Sequence, residues 1–115
     1  MSHSETVSLK RAMFKNIGSS RIALPAQHVL ELANIHLENA CKAQEKKSLL
    51  ALVHCDDADS TLYQLKRAVK SSPNKADIPT SEDIAIAYRK LGELQNLLGE
   101  KVKAESSFKK AVKLE

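Results

Sequence analysis

Four adjacent side chains of metal-ligating types form the most obvious chemical cluster of the sequence: His54, Cys55, Asp56 and Asp57. In a helix, successive side chains point about 100° apart, so four consecutive residues cannot converge on one ion. Zinc ligands converge tetrahedrally, usually from paired spacings. His36 and Cys41 could approach from a facing helix, but a buried Cys55 beside an exposed His54 is the favoured interpretation. We therefore predict no metal site and no cofactor.

Calcium binding is also not predicted. The pair Asp57 and Asp59 resembles the start of an EF-hand loop, but the loop requires a glycine for its sharp turn and a bidentate glutamate at its end. Both residues are missing here, and the basic Lys66 and Arg67 follow the two aspartates.

Catalytic patterns are missing from the sequence as well. It contains no GxSxG, no glycine-rich phosphate loop and no paired-carboxylate motif. His28 and His36 are eight residues apart and share a helix face, but no carboxylate is placed to orient them. The histidines are therefore interpreted as surface or interface residues, and the chain is not predicted to be an enzyme.

The net charge of +4 lies mostly at the N-terminus. Residues 1–24 carry four basic residues and one acidic residue, while the other 91 residues carry 14 and 13. We predict that residues 1–22 form a basic flexible arm, with a short helix around Leu9–Lys15. Binding of nucleic acid or membrane through this arm is a third-ranked hypothesis.

The lysines of the C-terminal segment are interpreted as a solvated helix face: Lys101, Lys103, Lys109, Lys110 and Lys113. No aromatic residue accompanies them to stack on bases, so nucleic-acid binding is not favoured. The sequence has no run of 18 apolar residues, which argues against a membrane span. Two cysteines without framework spacing suggest reduced thiols and an intracellular, cytoplasmic location.

The elements that would position these residues are helices. Apolar residues recur at steps of three and four from Val29 to Val69, with one polar interruption at 44–48. This pattern predicts an antiparallel hairpin of two unusually long helices, 25–44 and 47–71. The alternative is a turn at 56–60, but the apolar stripe crosses that segment without a change of phase.

A second hairpin follows a proline-containing loop. Residues 73–81 are predicted as the loop, with Thr80 or Ser81 capping a helix over 82–98. Gly99 is expected to adopt a positive φ in a tight turn before a last helix over 101–115. The prediction is an all-α domain over 23–115 with hairpins at 25–72 and 82–115.

The two hairpins end in the same pattern. Residues 65–70, LKRAVK, align without gaps with residues 108–113, FKKAVK, so Leu65 and Ala68 correspond to Phe108 and Ala111. Such similarity at the ends of two helical hairpins suggests a stacked repeat.

The second hairpin resembles a tetratricopeptide repeat. The residues that carry this resemblance are Tyr88, Leu91, Gly92, Ala104, Phe108 and Ala111. Gln95 departs from the pattern, because an aromatic residue is expected there. The closing proline would fall at position 116, whereas the first hairpin has Pro73 in that place. The small Gly92 and Ala104 are expected where two helices cross, with the ring of Phe108 beside them.

The resemblance implies an all-α protein-interaction module that binds a peptide or a partner helix in a groove. The first helix of each hairpin would line that groove. The expected groove residues are Ile86, Arg89, Glu93, Asn96 and Leu97, and from the first helix Leu30, Asn34 and Leu37. The lysine, asparagine and arginine set of carboxylate-clamp members spans three repeats, so it is not predicted here.

The alternative function is capping or homo-oligomerisation within a larger scaffold or signalling protein. The first hairpin is similar to N-terminal helical segments of large fungal multidomain proteins. An open-ended stack leaves an apolar end face. On the last helix this face would comprise Val102, Phe108, Ala111 and Val112, and self-association through it is the expectation.

Overall fold

A computed structural model describes residues 25–72, 76 and 78–115. The predicted arm at 1–22, Pro73 and part of the predicted loop lie outside the described residues. Within them the chain forms four helices: α1 (Ala26–Glu45), α2 (Leu50–Ser71), α3 (Ser81–Leu97) and α4 (Lys101–Leu114). Helices α1 and α2 pack as one hairpin, and α3 and α4 as another. The prediction of an all-α fold with two hairpins is confirmed.

The first hairpin turns at the polar run. Helix α1 ends at Glu45, and α2 continues unbroken through residues 56–60, so the alternative turn is wrong. Lys47 adopts φ 56°, and its N–H donates to the carbonyl of Gln44 at 3.0 Å. The N–H of Ser48 donates to the carbonyl of Ala43 at 2.9 Å. These two bonds satisfy carbonyls that the helix end would otherwise leave without partners.

The second hairpin uses the same turn. Gly99 has φ 83°, and its N–H donates to Asn96 at 3.1 Å. The N–H of Glu100 donates to the carbonyl of Gln95 at 2.8 Å. The prediction for Gly99 is therefore confirmed. A positive φ at Lys47 was not predicted, because a side chain with a Cβ avoids this conformation at a cost of roughly 1–2 kcal/mol.

Helix α3 begins with a side-chain cap. The hydroxyl oxygen of Thr80 accepts a hydrogen bond from the Asp83 N–H at 3.1 Å. Glu82 and Asp83 then place negative charge in the first turn, where the helix dipole favours it. Of the two cap candidates, Thr80 is thus the one that caps.

Helix α3 joins the hairpins, because it packs against both α1 and α2. The core is built from aliphatic side chains and many alanines, and Leu62, Leu65 and Leu91 are almost completely buried. Alanines at 0–2% exposure let the helices approach closely. Among the residues that the structure describes, Tyr88 contributes the one buried aromatic ring of this core.

Two side-chain contacts between α3 and α4 involve positions of the repeat pattern. A Cβ added to Gly92 would lie 2.8 Å from the Phe108 ring, so the close packing of glycine and aromatic ring is as predicted. The Ser107 hydroxyl donates to the Gln95 side-chain carbonyl at 2.6 Å, and both residues are buried. Gln95, the departure from the repeat pattern, therefore supplies a buried polar link in place of an aromatic ring.

Candidate functional site

A groove runs between α1 and α3, the first helices of the two hairpins. It has a volume of about 660 Å³ and an apolar floor with polar edges. We call it the α1–α3 groove, and its lining residues are Asn34, Leu37, Glu38, Cys41, Lys90, Glu93, Leu94 and Leu97. Leu37 and Leu94 are buried at its base, whereas Leu97 is 67% exposed.

Four of the eight residues expected from the sequence line this groove: Asn34, Leu37, Glu93 and Leu97. The other four lie elsewhere. Leu30 belongs to the core at 3% exposure, and Ile86 is half-buried outside the lining. Arg89 pairs at 2.7 Å with Glu115, the residue after α4, and Asn96 borders a depression against α4.

Sequence reasoning missed four lining residues: Glu38, Cys41, Lys90 and Leu94. Helical spacing was the available signal. Lys90, Glu93 and Leu97 lie three and four residues apart, as do Asn34, Glu38 and Cys41, so each set shares a helix face.

The groove opens into a second apolar surface at the turn end of both hairpins. Leu97 lines both the groove and this second surface, whereas Leu49 and Leu52, beside the first turn, line only the second surface. Leu49 is 82% exposed and the adjacent Leu50 is 57% exposed. Large aliphatic side chains concentrated on one exposed region indicate an interaction surface more strongly than scattered ones do.

The charged residues at the edges of the groove differ in whether they form ion pairs. Glu38 is paired with Lys42 of its own helix at 3.3 Å. Glu93 makes no ion pair with any residue that the structure describes, and Lys90 likewise lacks one there. Counting the lining side chains alone, two carboxylates face one ammonium group.

The two cysteines occupy different environments. Cys41 is exposed in the groove, where its thiol lies 3.7 Å from Glu45 Oε1. Cys55 is buried in the core, and burial followed by the negative charge of Asp56 raises the pKa of its thiol to about 11. Because the thiolate is the nucleophile, Cys41 is the more reactive of the two.

Two aspartates of α2, Asp56 and Asp59, pair with two lysines of α4. Lys103 bonds Asp56 at 3.2 Å, and Lys110 lies 3.9 Å from Asp59. The hydrogen bond and charge of Asp56 raise the pKa of Lys103. Lys110 also lies 5.7 Å from the centre of the Tyr88 ring. Part of the predicted solvated lysine face thus bridges the two hairpins.

Of the four metal-ligating residues at positions 54–57, His54 and Asp57 lie close to His36 of α1. Ligand atoms of His36, His54 and Asp57 all lie within 4.8 Å of one another. Cys55 points into the core and Asp56 toward Lys103, as the divergence of consecutive helical residues requires. His54 is partly buried, not exposed as expected.

The expected self-association face of α4 is only partly assembled. Phe108 and Val112 line a depression between α3 and α4, with Phe108 at 36% and Val112 at 69% exposure. Ala111 is instead buried in the core at 1% exposure. Val102 is 84% exposed but does not line that depression. The four residues therefore do not form one face.

Comparison with protein-family models, with curated proteins and with solved structures finds no match to this chain. Within the described residues, no helix combines the length and apolar character needed to cross a membrane.

Proposed function

We propose that this chain is a protein-interaction module that binds an amphipathic helix of a partner protein in the α1–α3 groove. The observation that carries the proposal is the 67% exposure of Leu97 at the point where the groove meets the turn-end leucines. Burying such a side chain in an interface contributes roughly 1.5–3 kcal/mol. A partner helix with aliphatic residues on one face would cover it.

The carboxylate of Glu93 predicts the charge of the partner segment. Glu93 stands at the edge of the apolar floor without an ion pair among the described residues. A lysine or arginine flanking the aliphatic face of the partner would pair with it. Complementary charges of this kind set orientation and association rate more than affinity. The partner is therefore an amphipathic helix with a basic residue placed opposite Glu93.

The resemblance to tetratricopeptide repeats supports the same surface. In such repeats the first helices line the groove, and α1 and α3 are the first helices here. Helix α3 packs on both helices of the preceding hairpin, as stacked repeats require. The free thiols of Cys41 and Cys55 fit a reducing compartment, and we place the module in the cytoplasm on that basis.

Self-association is the second candidate function. It is favoured by Phe108 and Val112 in the depression between α3 and α4, where another hairpin of a stack, or a second copy, would pack. This depression shares no lining residue with the α1–α3 groove. Sedimentation at increasing concentration would measure self-association in the unmodified chain and in Val112→Ser. The change should weaken self-association and leave partner binding in the groove unchanged.

A photo-reactive group on Cys41 tests the groove directly. Cys41 lies in the groove and reacts selectively, because Cys55 is buried with a raised pKa. We expect a labelled chain in cell extract to cross-link one partner. Mapping of the link should place it in a segment that is helical, aliphatic on one face and basic at its flank.

The matched control carries Cys41→Ser and Val102→Cys, which moves the label to an exposed position on α4. The proposal requires that the partner is not cross-linked from position 102 and that Leu97→Ser removes the link from Cys41. Equal cross-linking from both positions, or a linked segment of acidic or extended character, would contradict it.

A further inference from the structure

The groove makes no use of the cluster of His36, His54 and Asp57 between α1 and α2. We propose that these three side chains bind one transition-metal ion of the Zn²⁺ class. This site lies between the helices of the first hairpin and is independent of partner binding.

Helix geometry brings the three residues together. His54 and Asp57 are three residues apart on α2, so their side chains share a face. His36 approaches from α1, the antiparallel neighbour. The three ligand atoms lie within 4.8 Å of one another. Ligands at zinc distances are roughly 3.4 Å apart in tetrahedral geometry, so small side-chain rotations would complete the site.

The donor set selects the ion. Two imidazoles and one carboxylate suit zinc, cobalt and related ions, whereas calcium and magnesium require mainly oxygen ligands. Three protein ligands leave a fourth position for water. All three residues are half-buried, which limits competition from solvent while leaving an entry path.

The environment of the Nδ1 atom of His54 is a second observation that supports the metal site. It is buried, and no residue in the described part of the chain forms a hydrogen bond with it. A buried polar atom without a partner is destabilising. Coordination of a metal ion would give this nitrogen a partner, so the ion would stabilise the folded hairpin.

The ion would have a structural role and not a catalytic one. It would join α1 to α2 at positions 18 residues apart in the sequence, His36 and His54. Binding to the folded chain alone raises thermal stability in proportion to the logarithm of free metal concentration. The three residues would be too dispersed in an unfolded chain to bind with comparable affinity.

Titration of the full chain with Co²⁺ tests the site, because cobalt substitutes for zinc and its visible spectrum reports coordination. We expect one equivalent to bind with the absorption of a four-coordinate ion, Zn²⁺ to displace it, and Zn²⁺ to raise the melting temperature. His54→Gln and Asp57→Asn should each weaken binding at least tenfold. His3→Gln, His28→Gln and Cys41→Ser should leave it within twofold.

Circular dichroism establishes that each variant is helical, and Asp57→Asn carries the test alone if His54→Gln does not fold. Absence of stoichiometric binding to the unmodified chain would overturn the proposal. Unchanged binding in Asp57→Asn would also overturn it. A thiolate-to-cobalt charge-transfer band lost in Cys41→Ser would place the ion on cysteine and have the same consequence.

Discussion

Replacement of Gly92 by leucine is expected to lower the free energy of unfolding by about 2 kcal/mol. A Cβ at position 92 would lie 2.8 Å from Cε1 of Phe108 and 3.0 Å from two further ring atoms. The ring or the whole of α4 would have to move. Leucine favours a helix over glycine by roughly 0.8 kcal/mol, so a net loss would come from packing.

Urea denaturation of four proteins measures the effect: the unmodified chain, Gly92→Leu, Phe108→Ala and the double variant. Removal of the ring should relieve the crowding, so Gly92→Leu should cost at least 1 kcal/mol less in the Phe108→Ala background. An equal cost in both backgrounds would show that Gly92 is not packed against Phe108.

The change Ser107→Ala is expected to lower the free energy of unfolding by about 2 kcal/mol. The Ser107 hydroxyl donates to Gln95 Oε1 at 2.6 Å, and each residue is 2% exposed. Without the hydroxyl, a buried carbonyl oxygen loses this donor. Calorimetric or urea-induced unfolding would measure the loss.

Ser106→Ala is the matched control, because Ser106 is exposed at the preceding position of α4. Its effect should stay within about 0.5 kcal/mol. Adding Gln95→Leu to Ser107→Ala removes the orphaned carbonyl and should restore part of the stability. If Ser107→Ala and Ser106→Ala are equally mild, the buried hydrogen bond does not contribute as described.

The hairpins were predictable because their signals are local. Apolar steps of three and four, the polar run at 44–48 and Gly99 mark helices and turns without reference to distant residues. The packing of Phe108 against Gly92 was also predictable, because a small residue and an aromatic ring recur at spacings typical of helical repeats.

The rotation of α3 was not predictable from the sequence. Apolar residues cover a wide part of this helix, because it packs on α1, α2 and α4 together. Arg89 and Asn96 therefore looked equivalent to Glu93 as edges of the groove. Their contacts differ, however, since Arg89 pairs with Glu115, which follows α4, and Asn96 lines the depression near Phe108 of α4.

Contacts across helices were missed for a related reason. His36 meets His54 and Asp57 only because the first turn sets the register between α1 and α2. The pairs of Lys103 with Asp56 and Lys110 with Asp59 depend on the placement of one hairpin against the other. Such registers arise from packing and leave no local pattern in the sequence.

The groove is tested most directly by the affinity for the partner segment that Cys41 cross-links. Isothermal calorimetry should show binding to Leu97→Ser weakened about thirtyfold, which corresponds to a loss of roughly 2 kcal/mol. Val102→Ser, which truncates an even more exposed side chain on α4, should bind within twofold of the unmodified chain. Unchanged affinity in Leu97→Ser, or an equal loss in Val102→Ser, would contradict the assignment of the α1–α3 groove as the binding site.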